Sequence, residues 1–124
     1  MNYINKEVDT VFLKQATLKT PINFSGVGVH NGRCVNMTIY PAKEDSGIIF
    51  KRVDLKNNNI IKANINSIDR SYLCTRVTNK EGASVSTIEH LMASFSAFGI
   101  DNALVELNDA ELPALDGSSG EYIK

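Results

Sequence analysis

Glu89 and His90 are adjacent in the sequence, and together they carry the residue types that activate water. A glutamate can take a proton from water as a general base, and a histidine can hold the metal ion that polarises it. Both also have ordinary explanations, since Glu89 can be the partner in a helix cap and His90 a solvated helix residue. The longer HExxH pattern is absent, so the residue types alone leave both interpretations open.

The segment 86–99 is the one stretch with the pattern of a substantial helix. Ser86 and Glu89 fit a capping box at its start, and Gly99 suits a left-handed cap at its end. Apolar residues recur at helical spacing, and they are Ile88, Leu91, Met92, Phe95 and Phe98. At about 100° per residue, Glu89 and His90 fall opposite this stripe, above two small alanines. The sequence therefore predicts a helix that presents the pair on an open face.

Short strands are predicted on both sides of this helix. Period-two alternation indicates strands over 16–24 and 35–40, joined by a tight hairpin turn at Asn31-Gly32. Val35, Met37 and Ile39 share one face of the second strand. Further strands are predicted at 48–53, 60–65, 72–78 and 103–107.

Runs of hairpin-forming strands followed by one helix predict an α+β fold, with a mainly antiparallel sheet and the helix packed on one face. Residues 1–11 are expected to be a polar lead-in, and 12–124 a single domain. The stretch 116–119, Asp-Gly-Ser-Ser, has the pattern of another helix start. No apolar stripe follows it, so we expect the domain to be incomplete at its C-terminal end.

Composition excludes several classes of function. A chain of 124 residues with 43% hydrophobic and 22% charged residues is globular and long enough for one domain. Its net charge of −1 gives no electrostatic footprint for nucleic acid. The most apolar stretch, 91–100, is half the length of the about 20 residues that a membrane span needs. Cys34 and Cys74 lack CxxC spacing and are interpreted as reduced thiols of a cytoplasmic protein.

The glycine-rich segment 26–32 does not fit a phosphate-binding loop, because such a loop opens a helix and this one opens a strand. His30 at its tip can contact a substrate, although an exposed loop histidine is the simpler interpretation. Cys74 is interpreted as a half-buried strand residue.

Five segments gain specificity from their order along the chain. They are Ser-Gly-Val-Gly-Val-His-Asn-Gly (25–32), Leu-Cys-Thr (73–75), Ser-Thr-Ile-Glu-His-Leu-Met-Ala (86–93), Gly-Ile-Asp-Asn (99–102) and Glu-Leu-Pro-Ala-Leu-Asp-Gly-Ser-Ser (111–119). Together, over residues 12–120, they resemble the first half of the UDP-3-O-acyl-N-acetylglucosamine deacetylase family, the zinc amidases of lipid A synthesis in Gram-negative bacteria.

The resemblance implies two similar α+β domains with the active site between them, of which this chain is the first, truncated before its second helix. It implies that His90 is a zinc ligand and that Glu89 is the general base. Water then attacks the acetamide of UDP-3-O-acyl-N-acetylglucosamine and releases acetate. Leu73, Cys74 and Thr75, with the loop carrying His30, are implied to line the substrate cleft.

A catalytic zinc site normally needs three protein ligands. The resemblance places the other two ligands, the general acid and the acyl-chain insert in a carboxyl-terminal domain that this sequence lacks. We therefore expect the isolated chain to bind zinc weakly and to be inactive unless that domain is present in cis or in trans. The alternative is a non-catalytic half-domain that docks on a carboxyl-terminal partner chain through Glu89, His90, Ala93 and Ala97.

Overall fold

The computed structural model describes residues 14–64, 68–69 and 75–114, which form nine strands and one helix. In chain order these are β1 (Ile22–Gly28), β2 (Cys34–Pro41), β3 (Ile48–Arg52), β4 (Ile60–Lys62), β5 (Ile68–Asp69), β6 (Arg76–Thr78), β7 (Ser84–Ser86), α1 (Glu89–Ala97), β8 (Ala103–Leu107) and β9 (Pro113–Ala114). This α+β arrangement confirms the predicted fold class. The stretch 116–119 lies outside the described residues.

Six strands form one sheet in the order β4-β3-β8-β2-β1-β9. Every pair is antiparallel except β3 and β8, which run parallel from Ile48 opposite Ala103 to Arg52 opposite Leu107. A parallel pair needs a crossover connection rather than a hairpin. The crossover here is the segment 53–102, and it contains β4, β5, β6, β7 and α1.

The smaller antiparallel sheet, β5-β6-β7, and α1 close the core of the molecule. Val35, Met37 and Ile39 of β2 are almost fully buried, which confirms the predicted inward face. They belong to one apolar cluster with Phe50 of β3 and Leu91 of α1. Since the sheet buries one face only, its strands alternate as an antiparallel sheet with a solvated side does.

The predicted start of the helix is wrong. Ser86 belongs to β7, where it pairs with Arg76, and its hydroxyl donates to the carbonyl of Ala110 at 3.3 Å. The helix begins at Glu89 with Ile88 as N-cap and no side-chain cap. Strand pairing occupies the backbone that a capping box requires, so a tertiary contact overrides the local signal.

The predicted end of the helix is confirmed. Gly99 has a φ of +68°. Its N–H donates to the carbonyl of Ser96 at 3.3 Å, and the N–H of Ile100 donates to that of Phe95 at 2.8 Å. These two bonds form a Schellman motif. Phe98, however, is 59% exposed and leaves the predicted apolar stripe, because it is the C-cap residue at which the helical period ends.

The first hairpin differs from its prediction in strand start and turn. β1 begins at Ile22 rather than at residue 16, because the carbonyl of Ala16 accepts the N–H groups of Asp101 and Asn102 instead. The N–H of Gly28 donates to the carbonyl of Arg33 at 2.9 Å, which leaves a four-residue loop, 29–32. This loop contains the predicted Asn31-Gly32 pair and is longer than a tight two-residue turn.

The remaining strand predictions are confirmed in whole or in part. β3 and β8 match 48–53 and 103–107, whereas β4 ends at Lys62 and only 76–78 of the predicted 72–78 is a described strand. β5, β7 and β9 were not predicted. In the described part of the chain, no helix is long and apolar enough to cross a membrane.

Candidate functional site

Glu89 and His90 are the first two residues of α1, and both are exposed. Neither side chain makes a hydrogen bond or ion pair within the described part of the chain. Ala93 and Ala97 are also exposed, which confirms the predicted open face. A negative charge in the first turn is favoured by the helix dipole by about 0.3–1 kcal/mol. The pair is thus available to water, to a metal ion or to another surface.

Thr87, two residues before Glu89, adopts a left-handed backbone with a φ of +63°. For a residue with a Cβ this conformation costs about 1–2 kcal/mol, and it persists where the surrounding structure imposes it. Two hydrogen bonds impose it here. The Thr87 N–H donates to the carbonyl of Thr75 at 2.9 Å, and the Thr87 hydroxyl donates to Oε2 of Glu111 at 2.9 Å.

Glu111 is a buried carboxylate, 2% exposed, at the centre of this region. The His30 N–H is shared between its two oxygens at 3.1 and 3.0 Å, and the Asn31 N–H donates to Oε1 at 3.1 Å. Oε2 also accepts the Thr87 hydroxyl. Burial of a carboxylate is tolerated when hydrogen-bond donors surround it, as they do here.

The His30 side chain is about half exposed at the tip of the β1–β2 hairpin, with Nε2 3.9 Å from Oε2 of Glu111. The backbone of Gly28 approaches so closely that a Cβ there would stand 2.5 Å from Oε1 of Glu111 and would collide with Asn31. Gly28 therefore serves this close approach.

A cleft of about 280 Å³ opens beside the carboxylate. Its lining residues are His30, Asn31, Arg76, Ser84, Ser86, Ala110 and Glu111. The cleft lies just below the size range of small-molecule sites, about 300–1,000 Å³.

A second acid, Asp109, also holds the hairpin tip and is 5% exposed. Its Oδ1 accepts from the Asn31 side-chain amide at 3.1 Å and from the Ala110 N–H at 2.6 Å. Arg33 is 3.7 Å from its Oδ2. The tip is therefore tied to the segment between β8 and β9 by two buried carboxylates.

Among the predicted site residues, His30 and Thr75 are both linked to Thr87, in the turn that precedes Glu89 and His90. His30 reaches Thr87 through Glu111, and Thr75 bonds Thr87 directly. Leu73 and Cys74 lie outside the described residues.

The sequence reasoning missed Glu111 and Thr87 as site residues. The available signal for Glu111 was its position as a single acid between Ala110 and the apolar pair Leu112-Pro113. A charged residue within an apolar run is fully buried only when it has partners. No local pattern marks Thr87, since threonine rarely adopts a left-handed conformation.

For a metal ion, the site offers the exposed imidazole of His90 beside the carboxylate of Glu89. In residues 14–64 and 75–114, no three His, Cys, Asp or Glu side chains lie close enough to hold a metal together. A tetrahedral zinc site needs three protein ligands and one open position. His90 fits as one member of such a set, and the other members would have to come from outside the described residues.

Comparison with known proteins adds an independent finding. The family model described as UDP-3-O-acyl N-acetylglycosamine deacetylase matches residues 15–124. Similar curated proteins, each named UDP-3-O-acyl-N-acetylglucosamine deacetylase, come from Ruthia magnifica (47% identical over 111 residues), Wigglesworthia glossinidia brevipalpis (42% over 111) and Xanthomonas campestris (46% over 110). The matches cover 89–90% of this chain but only 36–37% of each relative. The chain thus spans little more than a third of their length.

Proposed function

Because the chain belongs to the UDP-3-O-acyl N-acetylglycosamine deacetylase family, we propose that it supplies the general base and one zinc ligand of such a deacetylase. The reaction is hydrolysis of the acetamide of UDP-3-O-acyl-N-acetylglucosamine in lipid A synthesis. Water adds to the carbonyl, the C–N bond breaks, and acetate and the free amine leave. The exposure of Glu89 and His90 at the start of α1 is the observation that supports this proposal.

The exposed positions of Glu89 and His90 support their proposed roles. The Glu89 carboxylate takes a proton from the attacking water, and no described neighbour competes for it. His90 offers a ring nitrogen as zinc ligand. A bound zinc ion makes hydroxide available near neutral pH and polarises the carbonyl. We further propose that His30 and Thr75 line the substrate cleft together with Leu73 and Cys74, as the family resemblance implies.

The proposed enzyme needs more than these residues. Two further zinc ligands and the general acid come from a carboxyl-terminal domain, in cis or in trans. The isolated 124-residue chain therefore binds zinc weakly and releases no acetate. Its proposed location is the cytoplasm, which suits Cys34, an exposed free thiol.

The test begins with the intact mass of the native gene product, followed by zinc analysis and an acetate-release assay with UDP-3-O-acyl-N-acetylglucosamine. If the mass is that of this chain alone, the assay is repeated with the carboxyl-terminal part of the Ruthia relative added in trans. We expect Glu89→Gln to lower kcat by about 10²–10⁴-fold, as loss of a general base does. We expect His90→Ala to lose zinc.

The matched control is Glu81→Gln, which changes another exposed glutamate, in the turn between β6 and β7. It should leave kcat unchanged. Equal activity of the Glu89 and Glu81 variants would overturn the proposed base. A complex that forms with the carboxyl-terminal part but never releases acetate would support the docking alternative instead.

A further inference from the structure

Two segments that carry the proposed chemistry meet on one buried side chain. The hairpin tip with His30 and the turn that delivers Glu89 and His90 both bond to Glu111. We propose that Glu111 is a positioning residue that sets the distance and orientation between these two segments. The inference rests on the proposed function, because it concerns the geometry of that site.

The hydrogen bonds of Glu111 leave it no part in proton transfer. A carboxylate has about four acceptor positions. The His30 N–H, shared between both oxygens, the Asn31 N–H and the Thr87 hydroxyl make four contacts of 2.9–3.1 Å. Only 2% of the residue is exposed, so its oxygens are largely taken up by these donors. Glu111 therefore acts through the segments it holds.

The backbone of Glu111 is itself fixed to the residue before Thr87. Ser86 forms a parallel bridge with Glu111. Its N–H donates to the carbonyl of Ala110 at 2.8 Å, and its carbonyl accepts the Leu112 N–H at 3.2 Å. The carboxylate consequently projects from a backbone that is already in register with the pre-helix turn.

Thr87 connects Glu111 to the start of α1. Its left-handed φ of +63° sets the direction in which α1 leaves the turn. The Thr75 carbonyl holds its N–H on one side, and Glu111 holds its hydroxyl on the other. Loss of the hydroxyl contact would let Thr87 relax and would displace Glu89 and His90 together. Small displacements of catalytic groups are costly, since a shift of about 1 Å can reduce rate by about 10²-fold.

The test uses the same protein and acetate assay as above, with four variants. Glu111→Gln loses the second His30 contact, but it keeps an oxygen for the His30 and Asn31 N–H groups and can turn its amide to Thr87, whose hydroxyl can also accept. We expect it to retain kcat within about threefold, and Glu111→Ala to lower kcat by about 10- to 100-fold. Thr87→Val should lower kcat by about tenfold with KM nearly unchanged, whereas Thr87→Ser, which keeps the hydroxyl, should retain activity.

Asn102→Ala is the control for a merely structural role, because Asn102 is 3% exposed and bonds Gly47 and Gln15 away from this site. It should lower the melting temperature without changing kcat. Hydrogen exchange at the His30 and Asn31 amides gives a readout that does not depend on turnover. We expect Glu111→Ala to accelerate it at least about tenfold and Asn102→Ala to leave it unchanged.

Three outcomes would overturn the inference: a Glu111→Gln loss as large as that of Glu111→Ala, a Thr87→Val variant with normal kcat, or unchanged exchange at the hairpin tip. Failure of the proposed function looks different. It would appear as no acetate release by the unaltered protein, and the exchange rates would still decide whether Glu111 holds the tip.

Discussion

Glu111 and Asn102 are buried polar residues that lie beyond opposite ends of β8, and each ties two segments together. Asn102 accepts the Gly47 N–H at 2.8 Å and donates to the Gln15 side chain at 2.8 Å. Glu111 meets only donors, from the hairpin tip and from Thr87. An amide suits a place that needs one donor and one acceptor, whereas a carboxylate suits a place that supplies donors alone.

The two ends also differ in how they form a left-handed turn. Gly47, bonded to Asn102, has a φ of +68°, and Thr87, bonded to Glu111, has a φ of +63°. Glycine adopts this conformation without steric cost, whereas threonine does not. Threonine adds a hydroxyl that reaches the buried acid. The residue bonded to Glu111 is thus strained, whereas the one bonded to Asn102 is not. Asp45, near Asn102, is also left-handed with a φ of +66°, but aspartate tolerates this conformation better than threonine does.

The largest expected difference between the two ends is in the free energy of unfolding when Glu111 and Asn102 are each truncated to alanine. Glu111→Ala leaves the His30 and Asn31 N–H groups and the Thr87 hydroxyl without their acceptor. At about 1–3 kcal/mol for each buried group left unpaired, we expect the free energy of unfolding to fall by about 3 kcal/mol or more. Asn102→Ala, which leaves mainly the Gly47 N–H unpaired, should cost about 1–3 kcal/mol. Urea denaturation measures the free energy of unfolding of both variants, and equal losses would contradict the expected difference between Glu111 and Asn102.

Glycine substitutions give a smaller contrast between the same two ends. At Gly28 an added Cβ would stand 2.5 Å from Oε1 of Glu111, so Gly28→Ala should displace the anchor and cost about 1–3 kcal/mol, as overpacking does. At Gly47 nothing lies within 4 Å, and only the backbone conformation opposes a side chain. Gly47→Ala should therefore cost about 1 kcal/mol. Thermal denaturation tests this order, and a larger loss at Gly47 would reverse it.

The smallest expected effect concerns Asp54, an exposed carboxylate that contrasts with the buried Glu111. Arg52 donates to Asp54 through two nitrogens at 2.6 and 3.2 Å and thereby lowers the pKa of the Asp54 carboxyl. A lowered pKa stabilises the fold above the ordinary aspartate value of about 3.9, and this contribution disappears as the pH falls through the folded value. Because the pair is partly exposed, Asp54→Asn should cost only about 0.2–1 kcal/mol at neutral pH.

The same variant should differ progressively less from the unaltered protein as the pH is lowered below about 4. Urea denaturation across that range is the measurement. A difference that grows in acid would show that the Arg52 contact does not set the stability of this turn.

Features that depend on local periodicity could be predicted from the amino-acid sequence. Alternation in β2 identified Val35, Met37 and Ile39 as an inward face, and all three are almost fully buried. β8 coincides with the predicted strand, and Gly99 ends the helix as expected. The exposure of Glu89 and His90 also followed from helical spacing. Each of these features needs only neighbours within a few residues along the chain.

The assembly of the candidate site depends on contacts between distant segments and could not be predicted from local pattern. The helix starts at Glu89 because Ser86 is in β7, where it pairs with Arg76 of β6. The local capping pattern contains no information about this strand pairing. Glu111 is an acid whose environment consists of groups 24 and 81 residues away, at Thr87 and His30. Its burial and the left-handed Thr87 arise from contacts between distant segments, and a hydrogen bond between them has no periodic trace in sequence. Local pattern therefore located the candidate pair, and long-range hydrogen bonds determined what holds it.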